Sequence, residues 1–478
     1  ISSGMKKFYP LIPYILFIFH LLLHIIGIGV NSLAGDEPAS VYYAQMDISD
    51  IIRHLKTGNN PPFYEIFLHF WIALFGIGEV AVRFPSLLFS ALTSVVLFRI
   101  GNDFFSRKIG FVSALFFCFS NYATIFSHES RVYALFGMLT ALSFFYFLKW
   151  LNKQSNRLDL IILTLVYTLL LYSHYFGIMV LFLHLILGIV LQKQRLQRKM
   201  LLLTLVSSLL LFLPYIAVVI VRFFSTYESG TWLQSPNGWD SIEYVLIKFM
   251  NSVLIVKLFI GLFLISILTH ARSIPSIDKN VVVIFAGFLV PFLGMFFISY
   301  YIPMFHDRYL MHSFICFSVF VGIILHSISS NTMVHGILSV LFLGGLVIAS
   351  SRNIDNGRHT KEAVEKVQTI RDSGTRVILY PKFNMVSYSY YFNQDRFKDY
   401  DYEYGFYKLV EGFKEENFYG INQYSEARID RSSCDKLIFI MTEFGPKEEL
   451  LKDFKKDFWL EDSFHYPEII DIYTFKRK

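Results

Sequence analysis

Cysteine is nearly absent from this 478-residue chain. There are three, Cys118 and Cys316 inside apolar runs and Cys434 alone near the end. No pair has the spacing of a zinc knuckle or a disulfide framework. Charge is scarce as well, with Asp, Glu, Lys and Arg making up 17% of residues. The net charge is only +6, and the cations fall in short loops between apolar runs. They form no stripe or patch, which excludes a nucleic-acid surface. No Gly-rich phosphate loop is visible, so no nucleotide site is legible.

What is abundant is apolar side chain. The chain is 54% hydrophobic, with 51 Phe and 29 Tyr, and its mean hydropathy is +0.48. Soluble chains sit near 45–50% apolar, so the excess points to a membrane rather than to a large core. Ile1-Ser2-Ser3-Gly4 ahead of Met5 reads as an expression remnant and is set aside. Met5-Lys6-Lys7 and the run Phe8 to Val30 begin like a signal peptide. The run is too long for one and no small-residue cleavage site follows, so it reads as a retained first membrane helix.

About eleven runs are long enough to span a bilayer. They lie near 8–30, 80–101, 109–126, 132–150, 158–173, 175–191, 200–222, 244–268, 280–301, 309–328 and 333–350. The expected class is therefore a polytopic α-helical membrane protein. Residues 62–77 are apolar but short and open with Pro61-Pro62, which predicts an interfacial helix within an extended first outer loop, 31–79. Basic residues orient the spans. Lys6 and Lys7, Arg107 and Lys108, Lys149, Lys153 and Arg157, Lys193, Arg195, Arg198 and Lys199, and Arg272 and Lys279 all fall on one side of this arrangement. The positive-inside rule makes that side the cytoplasm. The opposite loops hold mainly Arg53, Lys56, Arg131 and Arg308. The transmembrane domain is expected over 5–351.

From about Arg352 charges become frequent and apolar runs shorten. His359 to Arg371 has helical apolar spacing, and Lys447 to Phe458 reads as another amphipathic helix. Val377–Tyr380, Leu437–Ile440 and Ile469–Tyr473 read as strands. A soluble α/β domain over 352–478 is expected, on the outer, periplasmic side, with no chemistry of its own.

Candidate chemistry gathers at the outer ends of the spans. Asp36 and Glu37 follow the first span; an Asp-Glu-Pro turn with solvated charges explains them as well as a general base does. Desolvation at a membrane edge would raise a carboxyl pKa, as a base requires. Glu129 and Arg131, in Ser127-His128-Glu129-Ser130-Arg131-Val132-Tyr133, read either as a helix-end charge and a snorkelling cation or as a second acid with its partner. His174-Tyr175 lies at an outer turn, where a lone His is more often structural. Arg308-Tyr309 opens a span, and an Arg there suits a lipid phosphate. His306 and Asp307 adjoin it.

Taken in order, these pieces resemble the GT-C glycosyltransferases of the dolichyl-phosphate-mannose–protein mannosyltransferase type, a superfamily that includes the lipid A aminoarabinose transferases. The pieces are Gly35-Asp36-Glu37 with Tyr42 or Tyr43 following, Pro61-Pro62-Phe63-Tyr64, Phe75-Gly76 with Glu79 and Arg83-Phe84-Pro85-Ser86, Glu129-Ser130-Arg131-Val132-Tyr133, His174-Tyr175-Phe176 and Arg308-Tyr309-Leu310. The resemblance covers about residues 8–328. It implies an inverting glycosyltransferase with a polyprenyl-phosphate-linked sugar as donor, at the outer face of a bacterial inner membrane. Asp36 becomes the base and Glu129 the second catalytic acid. Glu37, Tyr64, Arg131, Tyr133, His174, Tyr175, Arg308 and Tyr309 become donor-phosphate and substrate contacts. No cofactor is required; a divalent metal is permitted, with Asp36 and His306 as its candidate ligands. The acceptor is a protein hydroxyl, lipid A or an envelope glycan. A glycan ligase or polymerase using a lipid-diphosphate donor shares most of these features. A lipid or sugar transporter would instead place charges at mid-membrane, and a polytopic binding scaffold leaves the acids and Arg308 unexplained.

Overall fold

The computed structural model describes residues 9–33, 35–231, 233–270, 278–329, 331–350, 359–398, 406–422, 426, 434–442, 447–466 and 470–478. Lys6, Lys7, Arg272, Arg352 and Ile469 lie outside them. The chain forms two compact units. One comprises Ile1–Ile26, Leu55–Tyr64 and Arg83–Ile354; the other comprises Gly27–His54, Glu65–Val82 and Asp355–Lys478.

The first unit is helical. Each of the eleven apolar runs holds a helix. Among the described residues five helices are long and apolar enough to cross a membrane by themselves, or up to seven if each of two bent pairs is one span. Ile12–Ile25, Gly177–Leu191 and Thr332–Ile348 are shorter apolar helices. Local sequence sets several helix starts. Asn156 and Asp159 form a capping box at the head of Arg157–Ser173, satisfying two backbone N–H groups that the helix cannot. Lys149 Nζ reaches Asp159 at 2.7 Å.

The two bent pairs explain each other. Arg107–Phe119 and Asn121–Ser127 break by 63°, and Gly238–Met250 and Val253–Leu268 by 95°. A break inside an apolar layer frees backbone groups that water cannot reach, so protein must satisfy them. Ser120, extended at the first break, donates its hydroxyl to the Phe249 carbonyl at 2.9 Å. Asn251 sits at the second break in the left-handed region, φ 69°. Its Nδ2 donates to the Phe119 carbonyl at 2.8 Å and the Leu346 carbonyl at 3.0 Å. Its Oδ1 accepts from the Asn121 N–H at 2.7 Å. One Ser and one Asn thus stitch the two breaks together. Tyr122, one residue further on, donates its hydroxyl to the Asp307 carbonyl at 2.7 Å.

The second unit holds a five-stranded sheet. Its strands are β1 (Thr375–Tyr380), β2 (Phe418–Gly420), β3 (Lys436–Thr442), β4 (Phe458–Tyr466) and β5 (Ile470–Arg477), in spatial order β2-β1-β3-β5-β4. β1 runs parallel to β2 and β3, while β5 is antiparallel to β3 and β4. The central strands are nearly continuous apolar runs because both faces are covered. Helix Lys447–Asp457 packs Leu450 and Phe454 against Leu437, Phe439 and Phe475. Helix Thr360–Ile370 buries Ala363, Val364 and Val367.

The segments before and after Leu55–Tyr64 pack into this same unit. The Tyr390 hydroxyl donates to the Ile77 carbonyl at 2.6 Å. The Lys361 N–H donates to Ser32 Oγ at 3.0 Å, and Ser32 donates on to Glu362 at 3.1 Å. Tyr42 meets Phe397 edge-on at 5.6 Å. Residues 62–77 form the helix Phe63–Phe75.

Candidate active site

In the second unit Gly35 takes φ 62°, a value that glycine adopts without penalty. It turns the chain into the helix Glu37–Ala44, with Asp36 at its N-cap position and Pro38 in its first turn. Asp36 is exposed, whereas Glu37 is 1% exposed. The acidic pair is therefore split, one carboxylate facing water and its neighbour buried at a helix start, where a negative charge is favoured. One turn on, Ser40 donates to Glu65 Oε1 at 2.9 Å. Tyr43 is raised above the usual phenol range by burial and by the Glu65 charge. Glu65, itself buried, carries no motif and was not legible in the sequence; only the pairing with Ser40 singles it out.

In the first unit the turn between helices Arg157–Ser173 and Gly177–Leu191 is a hub. His174 is buried and stacks on Phe136 at 4.9 Å, with Tyr133 and Tyr309 at 6.2 and 5.7 Å. Burial, together with the positive charge of His312 and Arg131, lowers its pKa to about 3. His174 is thus a neutral ring in the ordinary pH range. It is no proton donor there, as suits the structural role of a lone buried histidine. Tyr175 lies beside Tyr215 and Arg222. Arg222 also reaches Asn59 Oδ1 at 3.4 Å. Tyr64 lies 3.3 Å from Ser130 Oγ, next to Arg131. His306 pairs with Asp307 at 2.6 Å and lies against Tyr309 at 5.9 Å. Lys248 comes to 4.0 Å of Asp307. Glu129 and Arg308 are half-buried on the same two loops as Arg131 and Tyr309.

Tyr64, Arg131, Tyr133, His174, Tyr175 and Tyr309 therefore gather around one turn. Arg222 and Tyr215 join them from helix Arg195–Ser229. These two were missed because each reads as an ordinary residue of a long apolar helix. The available signal was one cation within an otherwise uncharged stretch, Leu201 to Tyr227. Among the described residues no group of three or more His, Cys, Asp or Glu is placed to hold a metal ion.

Such an arrangement suits recognition of an anionic group beside apolar surface: guanidinium groups present fixed donor forks, and tyrosine hydroxyls add donors without charge. The fold is the GT-C membrane fold, and the resemblance read from the sequence is borne out. Residues 59–217 match the family model described as Dolichyl-phosphate-mannose-protein mannosyltransferase. ArnT from Cupriavidus metallidurans bound to undecaprenyl phosphate is similar in structure, with TM-score 0.62, 12% identity, and coverage of 96% of this chain and 97% of that one. The same protein in the apo state gives TM-score 0.60 and 12% identity over 99% and 98% of the two chains. The Archaeoglobus fulgidus oligosaccharyltransferase in complex with Zn and sulfate gives TM-score 0.52 and 11% identity over 89% of this chain and 67% of that one. No curated protein sequence matches this chain significantly.

Proposed function

We propose that the chain is an inverting glycosyltransferase that moves a sugar from a polyprenyl-phosphate donor to an acceptor at the outer face of the inner membrane. The observation that carries this reading is the cluster of Arg131, Tyr175 and Arg222 around the His174 turn. It offers cationic donors within an apolar helical unit, as a lipid-borne phosphate requires. The likeness to a structure that holds undecaprenyl phosphate supports the same donor class.

In this reading Asp36 takes the proton from the acceptor hydroxyl. The acceptor oxygen attacks the anomeric carbon, the bond from that carbon to the phosphate oxygen breaks, and the electron pair leaves with the polyprenyl phosphate. In-line displacement inverts the anomeric centre. Arg308, Arg131 and Arg222 stabilise the charge developing on the phosphate, and Glu129 is the second catalytic acid. Tyr64, Tyr133, Tyr175 and Tyr309 shape the donor pocket, Glu37 supports Asp36, and His174 holds the turn. No step runs through a metal. Residues 352–478 form the outer, soluble domain, and 5–351 the catalytic membrane domain with its first outer loop at 31–79. Acceptors of the fitting class are protein hydroxyls, lipid A and envelope glycans.

The test uses vesicles with radiolabelled polyprenyl-phosphate sugar. Asp36→Asn is expected to insert normally and lose transfer, by a factor of about 100 or more for removal of a general base. Retained transfer would overturn the base assignment. Transfer from a lipid-diphosphate oligosaccharide but not from the monophosphate would make the chain a glycan ligase instead.

A further inference from the structure

We infer that the recess between helices Gly177–Leu191 and Arg195–Ser229 is a binding site for an anionic membrane phospholipid, separate from the proposed donor pocket. The recess has a volume of about 770 Å³, within the range that holds a small-molecule ligand. It is lined by Arg195, Arg198 and Lys199 from the start of the second helix and by Leu185, Ile189 and Leu202 among its apolar side chains. A phosphate on the cations and one acyl chain along the apolar side chains is the ligand chemistry that this lining matches.

The site follows from sequence and packing. No acidic residue occurs from Leu160 to Tyr227, so these cations are not neutralised by neighbours in the chain. The three fall within the first five residues of helix Arg195–Ser229. Its N-cap residue, Gln194, makes no side-chain capping bond. Cations there are opposed by the positive end of the helix dipole, and an anion would relieve that conflict. Arg198 Nε donates to the Gln192 carbonyl, which fixes the direction of its guanidinium. Gly188 leaves room for its neighbours beside the recess: a Cβ there would meet the Leu201 side chain at 2.3 Å and the Trp150 ring at 3.3 Å. Exposed Ile189 and Leu202 complete an apolar wall. Snorkelling alone accounts for cations at a membrane edge. It does not account for three of them lining one recess together with apolar side chains from both helices.

The experiment uses the purified full chain, stripped of lipid in detergent. Phosphatidylglycerol, phosphatidylcholine and inorganic phosphate are added back, with thermal unfolding and native mass spectrometry as readouts. Phosphatidylglycerol is expected to raise Tm by about 2–4 °C and to appear as a bound adduct, while phosphatidylcholine and inorganic phosphate do neither. R195Q/R198Q/K199Q is expected to lose both effects. Ile189→Trp, which fills the recess without changing charge, is expected to lose them too and serves if the triple variant fails to fold. Lys193→Gln, outside the recess, is expected to keep them. Equal effects from phosphatidylcholine or from phosphate alone, retained adducts in the Ile189→Trp variant, or an equal loss in Lys193→Gln would each overturn the proposal.

Discussion

Tyr391 donates its hydroxyl to the Glu79 carboxylate, 312 positions earlier in the chain, while the same oxygen accepts the Leu33 backbone N–H. One phenol therefore ties three separate stretches of the second unit. Tyr391→Phe is expected to destabilise this unit by about 1–3 kcal/mol, the cost of leaving a carboxylate and a partly buried N–H short of a partner. The Lys361–Glu79 pair at 3.9 Å is half-exposed and offsets little of this loss. Limited proteolysis is the measurement, with faster cleavage within Gly27–His54 the expected outcome and unchanged cleavage the contrary one.

Arg222 lies beside Tyr175 and reaches Asn59 Oδ1 at 3.4 Å, and it is the one charged residue between Leu201 and Tyr227. In the proposed reading Arg222→Gln lowers kcat/KM for the lipid-linked donor by about 10- to 100-fold, the range of one lost charge-assisted bond. Unfolding temperature is expected to change little, since its bond to Asn59 is long and exposed. A variant with normal donor kinetics would remove Arg222 from the pocket.

His174 has its pKa lowered from 6.5 to about 3 by burial and by the positive charge of His312 and Arg131. The unfolded chain therefore binds a proton at this site more readily than the folded one. Its stabilising contribution is complete above about pH 6.5 and is lost as pH falls from there toward 3, at up to about 1.4 kcal/mol per pH unit. Thermal unfolding of the wild type is expected to fall between pH 6.5 and 4.5, and His174→Gln to show a shallower fall. Parallel curves would mean that His174 does not carry this dependence.

Gly101 and Gly110 lie where helices Glu79–Phe104 and Arg107–Phe119 meet. A Cβ at Gly101 would come within 2.3 Å of Gly110 Cα, and small residues are what let membrane helices approach this closely. Gly101→Ala is expected to cost about 1–3 kcal/mol through forced separation of the backbones. A lowered Tm in detergent is the readout, and an unchanged Tm would show that the helices can move apart freely.

The apolar runs by themselves determined that this chain is a bundle of membrane helices, because satisfying backbone groups in lipid leaves no other option for such segments. The Glu129–Tyr133, His174–Tyr175 and Arg308–Tyr309 stretches were also legible, since charged and aromatic residues stand out at the ends of apolar runs. The strands β1, β3 and β5 were legible for the same reason, as short β-branched and aromatic runs. β4 was not, because seven of its nine residues are exposed and it lacks the alternation that marks a half-buried strand. Met385–Phe392, rich in aromatics, forms a helix, an outcome that its packing decides over its β-propensity.

Only the tertiary structure decided three further matters. It bonded the two helix breaks through Ser120 and Asn251, packed Gly27–His54 and Glu65–Val82 with the C-terminal sheet, and brought Arg222 to Tyr175. The reason is common to all three. Hydropathy and periodicity report the environment of a segment averaged along its own axis, whereas these are single contacts between distant segments. Their partners are selected by shape and hydrogen-bond geometry once the helices and the sheet have packed.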